Sequence, residues 1–299
     1  GQGTYAYDIM VAQSDDEGMT WSTPFRLHDD GTTTEHGFVS YFDAGDGNVG
    51  LAWLDGRETL PALTDRADGH AHHEDGGSMT LRTAQIDRGG AVHAEALLDA
   101  RVCDCCGTAS ALTNEGPVVV YRDRSDVEVR DIAIVRRVDG AWSEPTRVHA
   151  DGWQITGCPV NGPAVLARGQ EVIVAWFTLG NDDTPRIRYA RSGDGGRRFA
   201  APGELDPGEA LGRVDLAWHG EGFVLSWLSD AGGGELRVAR FGREGRIIER
   251  HELLSLSGGR SSGFPRLLSL DDQRLLLAWT DVPPDSGEPK VRARLLSFD

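Results

Sequence analysis

The chemically most specific feature of this chain is a cluster of three cysteines within four residues. The chain has 299 residues and four cysteines, and Cys103, Cys105 and Cys106 lie together in one short segment. The fourth, Cys158, lies in the segment Ile-Thr-Gly-Cys-Pro-Val. Such a cluster is typical either of disulfides that cross-link a fold or of a thiolate site for a soft metal ion. The positions of the four sulfurs in the fold must decide between them.

Each interpretation makes a different use of the same sulfurs. In the disulfide interpretation, Cys158 joins neighbouring parts of the fold, while a bridge inside the cluster would close a small, strained ring. In the metal interpretation, the three clustered cysteines bind Cu(I) or Zn(II), and Cys158 is the remote ligand. We take the metal or redox interpretation forward, although the spacing does not identify the metal.

Histidines offer further ligands for a metal. His70, His72 and His73 lie in one acidic segment with Glu74 and Asp75, which reads either as a solvated insertion or as an accessory metal site. His36 follows Glu35 at the start of an apolar segment. A hydrogen bond in a turn is the simpler role for His36, and metal ligation is the alternative.

A repeated pattern along the chain predicts the elements that hold these residues. Each copy has a short apolar run, a polar or glycine turn, and a second apolar run that ends near an aromatic residue. This pattern is typical of a hairpin of two buried strands. A recurrence every ~50 residues is typical of propeller blades. The five copies cover 35–55, 106–123, 161–177, 212–228 and 263–281.

An alternating strand follows each hairpin, and a sixth such strand, 7–13, opens the chain without a hairpin before it. Alternation places one face on a neighbouring blade and the other toward solvent. We therefore predict an all-β, six-bladed β-propeller whose first blade is incomplete in this chain. A five-bladed ring closed by the N-terminal segment is the alternative. One domain over 1–299 is expected.

Composition excludes several function classes. The formal net charge of −17 argues against nucleic acid as a partner, because phosphates need a basic surface. No apolar run approaches the ~18–20 residues of a membrane-spanning helix. The first residues lack the charged and apolar regions of a signal peptide, so we expect a mature or trimmed N-terminus. We expect no organic cofactor.

Two turns carry a specific motif. The segments 14–21 and 192–199 both fit Ser-x-Asp-x-Gly-x-x-aromatic, and 138–142 is a degenerate copy. The aspartate is expected to cap turn amides, the glycine to take a positive φ, and the aromatic side chain to plug the blade. On these motifs the chain resembles the sialidase-like Asp-box (BNR repeat) β-propeller superfamily over essentially its whole length. The resemblance implies a location outside the cytoplasm, periplasmic or extracellular.

The resemblance also implies a chemistry, which this chain matches only in part. Sialidases hold the substrate carboxylate with three arginines, and they use a tyrosine nucleophile paired with a glutamate and an aspartate acid/base. Arg213 and Arg266 match two of the arginines, and the first would fall before residue 1. No tyrosine lies on an inner strand of the late blades. Remaining candidates for paired carboxylates are Asp104, Asp123 and Asp215, and those for binding an acidic sugar are Arg57, Arg122, Arg213 and Arg266.

The topology of an antiparallel blade predicts which of these residues meet. The loop before each inner strand lies on the same side as the loop between the second and third strands. The four cysteines are therefore expected to converge at one mouth of the propeller. Two functions follow as hypotheses: an extracytoplasmic propeller that binds a soft metal ion such as copper or zinc, with redox activity as an extension, or a sialidase-type glycoside hydrolase or carbohydrate-binding propeller.

Overall fold

The structure, a computed structural model, describes residues 5–59, 77–256, 263–282 and 288–298. These residues form antiparallel β-sheets and two short 3-10 helices, Arg57–Thr59 and Ala231–Gly233. Among the described residues, no helix is long and apolar enough to cross a membrane. The predicted all-β class is confirmed.

Six sheets follow one another along the described part of the chain. The first pairs β1 (Met10–Val11) with β2 (Phe25–Arg26). The second contains β3 (His36–Gly45), β4 (Asn48–Asp55), β5 (Thr80–Ile86) and β6 (Val92–Asp99). The third contains β7 (Ala109–Thr113), β8 (Gly116–Arg122), β9 (Ile132–Val138), β10 (Ala141–Trp142) and β11 (Thr146–Arg147).

The other three sheets repeat this arrangement. The fourth contains β12 (Ala164–Arg168), β13 (Glu171–Thr178), β14 (Arg186–Ser192) and β15 (Gly203–Leu205). The fifth contains β16 (Ala210–His219), β17 (Gly222–Ser229), β18 (Glu235–Phe241) and β19 (Ile247–Ser255). The sixth contains β20 (Arg266–Ser269), β21 (Arg274–Asp281) and β22 (Lys290–Ser297).

Inner strands of successive sheets pack against one another, with β3 next to β7, β7 next to β12, β12 next to β16 and β16 next to β20. The predicted hairpins and third strands all fall on observed strands. The first sheet has two described strands. A closed ring of six blades stays a prediction.

The second strand of each hairpin is the most buried, because its apolar run lies between two neighbouring sheets. Every residue of β17 is buried, and so are the last seven of the eight residues of β13. One core cluster joins Ile173 and Ala175 of β13 to Leu225 and Trp227 of β17. Burial on both faces explains why these strands read as continuous apolar runs.

A repeated hydrogen bond joins neighbouring sheets. The indole Nε1 of Trp176 donates to Asp151 (2.6 Å), and that of Trp227 donates to Asp206 (2.8 Å). Each aspartate follows the outer strand of the preceding sheet. The third sheet uses a tyrosine in the same way, with the Tyr121 hydroxyl 2.5 Å from Asp99 at the end of β6. These bonds satisfy buried polar groups and fix the angle between sheets.

The two motif turns have matching hydrogen bonds. The Gly18 N–H donates to Ser14 Oγ (2.8 Å), and the Gly196 N–H donates to Ser192 Oγ (2.9 Å). Both glycines have positive φ, 86° and 82°. The prediction that the aromatic side chain packs into the blade is confirmed for Phe199, which packs on the core between the third and fourth sheets. It is wrong for Trp21, which is 64% exposed.

Candidate thiol site

Main-chain hydrogen bonds fix the loop that carries the cysteine cluster, residues 100–108, to the strands below it. The Val102 N–H donates to the Met79 carbonyl (2.9 Å), and Val102 also pairs with Asp123 in an isolated bridge. The Cys103 N–H donates to the Arg122 carbonyl (3.0 Å) at the end of β8. The loop before β7 therefore meets the loop after β8, as the blade topology predicts.

The four sulfurs lie together. Cys105 and Cys158 form a disulfide, with an S–S distance of 2.14 Å. Cys103 and Cys106 are free thiols and are buried, and their Sγ atoms lie 3.2 Å apart. The Cys103 Sγ also lies 4.0 Å from the Cys105 Sγ. The fold thus contains a disulfide and a dithiol in contact.

Glycine allows the Cys158 loop to approach the cluster. A Cβ on Gly162 would lie 2.2 Å from the carbonyl oxygen of Gly107, the residue after Cys106. The preceding residue, Asn161, holds the other side of this loop. Its side chain accepts a hydrogen bond from the Arg213 N–H (2.8 Å) and donates one to the Leu211 carbonyl (3.2 Å). The loop before β12 is therefore fixed on both sides, which brings Cys158 to Cys105.

We expect Gly162→Ala to destabilise the fold by about 1–3 kcal/mol, because its Cβ would overlap backbone rather than a movable side chain. Urea unfolding with metal excluded is the measurement. Gly157→Ala in the same loop is the control, since its Cβ would meet only Ile155 at 3.7 Å, an ordinary contact. Equal effects of the two substitutions would contradict the close approach.

Arginines surround the dithiol. The Arg130 Nη1 donates to the Cys103 Sγ (3.3 Å), while its Nη2 donates to Glu128 (2.8 Å). Arg124 holds Glu128 from the other side (2.7 Å) and lies 3.4 Å from Asp104. Burial raises the pKa of Glu128, but hydrogen bonds from Arg124 and Arg130 outweigh it and lower that pKa to about 2. Glu128 is therefore ionised and holds both arginines in place.

These contacts shift the pKa values of the two thiols in opposite directions. The hydrogen bond with Cys106 lowers the pKa of Cys103 against the effect of burial, with further help from the Cys105 N–H and the charges of Arg122 and Arg130. Burial, and then the hydrogen bond to Cys103, raise the pKa of Cys106 well above its usual value. Cys103 is thus the thiolate of the pair and Cys106 its proton-bearing partner.

Acidic side chains lie beside the cysteine loop. Burial and the nearby charge of Asp104 raise the pKa of Glu35. Burial and the charge of Asp99 raise the pKa of Asp123 to about 6. Among the predicted carboxylates, Asp104 thus lies near Glu35 as well as Arg124, and Asp123 lies near Asp99.

The remaining predicted catalytic residues lie at the inner strands of the fifth and sixth sheets. Asp215 is 6% exposed, accepts from the Leu267 N–H (2.7 Å) and forms an ion pair with Arg266 (Nε 3.1 Å away). Arg213 lies in a bulged part of β16, has a φ of 54°, and its guanidinium lies 5.6 Å from the centre of the Phe264 ring. Asp215 joins two sheets, while the Arg266 side chain is 75% exposed.

Two arginines proposed for sugar binding have structural partners instead. Arg122 is 1% exposed and donates hydrogen bonds to the carbonyls of Asn161, Arg130 and Phe177. Arg57 binds both carboxylate oxygens of Asp55 at 2.8 Å. The prediction that Arg122 contacts a substrate carboxylate is wrong, because its donors are used inside the core.

His36 belongs to a different cluster from the cysteines. It is buried, stacks on His28 with ring centres 3.7 Å apart, and lies 3.0 Å from Asp30 and 3.6 Å from Asp55. Its Nδ1 faces the Tyr7 and Thr34 carbonyls at 3.1 Å. Within the described ranges, no group of potential metal ligands joins His36 to a cysteine. His70, His72 and His73 lie outside the described residues.

The His28 ring gives the fold a pH dependence. Burial, followed by the neighbouring His36, lowers the pKa of His28 even though Asp30 and Asp55 raise it. The unfolded chain, with a histidine pKa of about 6.5, binds this proton first as pH falls, so folding loses stability below that pH. We expect wild type to lose up to about 1.4 kcal/mol per pH unit more than His28→Asn between about pH 6.5 and about pH 5. Urea unfolding at several pH values tests this, and parallel pH profiles for the two proteins would contradict it.

Two functional features escape the sequence pattern. Cys103 and Cys106 are spaced as a Cys-x-x-Cys pair, but the intervening Cys105 hides this in a continuous cluster. Arg130 reaches Cys103 only through the pairing of β8 with β9 and the turn between them. The spacing of Cys103 and Cys106 could have indicated the pair from the sequence, whereas the Arg130 contact depends on tertiary structure alone.

Comparisons with known proteins place the fold. No protein-family model and no curated protein matches this chain. An α-L-arabinofuranosidase from Fusarium graminearum aligns with a TM-score of 0.56 and 14% identity, over 96% of this chain and 84% of that one. The NanB sialidase from Streptococcus pneumoniae aligns with a TM-score of 0.55 and 12% identity over 94% of this chain, which spans only 61% of that chain.

At such low identities, the likeness establishes the fold alone. The protein has a β-propeller fold similar to those of these two enzymes. More particularly, this propeller has three cysteines, Cys103, Cys105 and Cys106, that lie close enough together to bind one metal ion.

Proposed function

We propose that this propeller binds a soft metal ion, Cu(I) or Zn(II), through the thiolates of Cys103, Cys105 and Cys106. One observation carries the proposal: one ligand atom from each of the three cysteines lies within 4.8 Å of the others. Thiolate sulfur is the donor that selects soft ions over Ca²⁺ or Mg²⁺.

The charges around the sulfurs favour an anionic metal–thiolate complex. A monovalent ion bound by two or three thiolates has a net negative charge, which is costly to bury without compensation. Arg130 lies 3.3 Å from Cys103, and Arg122 stands close enough to lower the pKa of both thiols. Their positive charges offset this cost, and the low pKa of Cys103 supplies a thiolate near neutral pH.

Oxidation state decides how many ligands are available. In the oxidised protein, Cys105 is bonded to Cys158, which leaves Cys103 and Cys106 as ligands. Reduction frees Cys105 and completes the set of three. We therefore propose that metal affinity is higher in the reduced protein, which offers three thiolates, than in the oxidised protein, which offers Cys103 and Cys106.

The test is a titration of tag-free, reduced protein with Cu(I), and separately with Zn(II), followed by elemental analysis after desalting. We expect about one bound equivalent in wild type and loss of binding in the double variant Cys105→Ser, Cys106→Ser. Cys158→Ser is the matched control, because it removes a cysteine but keeps the three clustered ligands. Substoichiometric binding by reduced wild type, or equal binding by the double variant, would refute the site.

A second function rests on a separate observation, the carboxyl pair of Glu35 and Asp104. The raised pKa of Glu35 beside an acidic neighbour is the pattern of a general acid in glycoside hydrolysis. Phe38 (37% exposed) and Val39 (36% exposed) lie in the bulged strand β3 close by and offer an apolar surface. Release of a fluorogenic sialoside or arabinoside that Glu35→Gln abolishes would support this function, and no turnover of either would exclude these substrates.

We place the protein outside the cytoplasm, in the periplasm or the extracellular space. The Cys105–Cys158 disulfide supports this proposal, because such bonds persist in oxidising compartments. Detection of both cysteines as thiols in protein taken directly from intact cells would contradict it.

A further inference from the structure

The four cysteines are arranged in order of burial. Cys158 is exposed, Cys105 is half-buried, and Cys103 and Cys106 are buried. Short sulfur–sulfur distances connect them: 2.14 Å for the disulfide, 4.0 Å from Cys105 to Cys103, and 3.2 Å from Cys103 to Cys106. Each sulfur thus lies within reach of the next, and only the Cys158 end is open to a partner.

We propose that these sulfurs form a thiol–disulfide relay, in which an external disulfide oxidises the buried Cys103–Cys106 dithiol through the Cys105–Cys158 disulfide. The external partner is any accessible disulfide, whether a small molecule or a protein. This inference rests on the same sulfur cluster as the proposed metal site, and it gives that cluster a chemical activity in the oxidised state.

The first half of the relay opens the surface disulfide. The Cys103 thiolate attacks the Cys105 Sγ, so a Cys103–Cys105 bond forms, the Cys105–Cys158 bond breaks, and Cys158 leaves as a thiolate. Exposed Cys158 then attacks the external disulfide, which forms a mixed disulfide on Cys158 and releases one external thiol.

The second half closes both bonds. Cys106 attacks the Cys103 Sγ, which forms the Cys103–Cys106 disulfide and releases the Cys105 thiolate. Cys105 attacks the Cys158 Sγ of the mixed disulfide, which restores the Cys105–Cys158 bond and releases the second external thiol. The dithiol loses two electrons and two protons, and the external disulfide gains them as two thiols.

The environment of each sulfur suits its step. Arg130 donates to the Cys103 Sγ and stabilises it as the thiolate that starts the relay, and the Cys106 Sγ lies 3.2 Å from it. Cys105 lies between the buried and the exposed sulfurs, because it is bonded to Cys158 and its Sγ lies 4.0 Å from that of Cys103. Once Cys103 is in a disulfide with Cys105, Cys106 is the free sulfur next to it and resolves the bond.

The probe is 4,4′-dithiodipyridine, added to oxidised, metal-free wild-type protein. We expect release of about two equivalents of 4-thiopyridone per chain, and peptide mass mapping should find both the Cys103–Cys106 and Cys105–Cys158 disulfides. A chain that releases no thiopyridone while folded would overturn the relay. Direct attack by Cys103 on the probe would reach the same end point, so the position of the intermediate must distinguish the two routes.

Cys106→Ser traps that intermediate, because Cys103 can no longer be resolved. The relay predicts about one equivalent of thiopyridone, a Cys103–Cys105 disulfide and the thiopyridyl group on Cys158. The group on Cys103 instead, with Cys105–Cys158 intact, would overturn the proposal. Cys103→Ser is the second variant, and it should lose the reaction, whereas release at the wild-type rate would refute the role of Cys103.

Wild-type protein quenched with acid at early times keeps the test independent of variant folding. The thiopyridyl group on Cys158 supports the relay, and its presence on Cys103 or Cys106 overturns it. The metal titration of reduced protein is a separate measurement. Copper binding by reduced protein together with labelling at Cys103 would overturn the relay but not the metal site. Labelling at Cys158 without metal binding would overturn the metal site but not the relay.

Discussion

Arg122→Met is expected to lower the free energy of unfolding by about 3–5 kcal/mol. Arg122 is 1% exposed, and its guanidinium donates four hydrogen bonds to three main-chain carbonyls. Methionine fills a similar length but donates nothing, so three buried carbonyls lose a partner. Removal of the buried charge recovers some desolvation energy, but less than the orphaned carbonyls cost.

The position of those carbonyls explains why the effect should be large. They belong to Arg130 in the turn before β9, to Asn161 in the loop before β12, and to Phe177 in β13. The same guanidinium lies 4.9 Å from the centre of the Trp153 ring. Arg122 thus joins two sheets beside the thiols, and its loss should loosen the cysteine loops as well as the core.

Urea unfolding with metal excluded measures the difference. Arg246→Met is the matched control, because its side chain is 87% exposed and its ion pair with Glu244, which is 79% exposed, should contribute under about 1 kcal/mol. A stability loss below about 1 kcal/mol for Arg122→Met would show that its hydrogen bonds are dispensable. In the sugar-binding hypothesis, Arg122→Met would instead leave the free energy of unfolding unchanged and remove carboxylate binding.

The sequence predicts the fold better than the site, and the two have different physical origins. Buried second strands such as β13 and β17 are continuous apolar runs, and turns such as Ser14–Gly18 have local hydrogen bonds, so short windows identify both. Fold-level topology then brings the loops before β7 and β12 together. That was enough to predict that Cys158 approaches the cluster.

The partners of individual side chains could not be predicted in this way. His36 lies at the start of an inner strand and belongs to groups that could hold a metal ion, but its neighbours there are His28 and Asp30 from the loop after β2 rather than a cysteine. Arg122 reads as a charge at a strand end, but the fold buries it. Residues that approach from distant segments determine both outcomes, and local patterns do not contain that information.

Reduction of the Cys105–Cys158 disulfide is expected to lower the free energy of unfolding by about 4 kcal/mol. The two cysteines are 53 residues apart, so the bond closes a long loop in the unfolded chain and removes much of its conformational entropy. The loop contains all five strands of the third sheet, from β7 to β11. Urea unfolding of metal-free wild type, with and without reductant, measures the effect.

The double variant Cys105→Ala, Cys158→Ala provides the control. It should unfold like reduced wild type and respond less to reductant than oxidised wild type does, because any remaining Cys103–Cys106 bond closes only a short loop. The same entropy relation gives about 2 kcal/mol for that short loop, roughly half the value for the long one. A double variant as stable as oxidised wild type would disprove the expected stabilisation. If the long-loop disulfide stabilises the fold more than the short-loop one, a protein with a single disulfide forms it between Cys105 and Cys158. Cys103 and Cys106 then remain thiols that can bind a metal ion or react with an external disulfide.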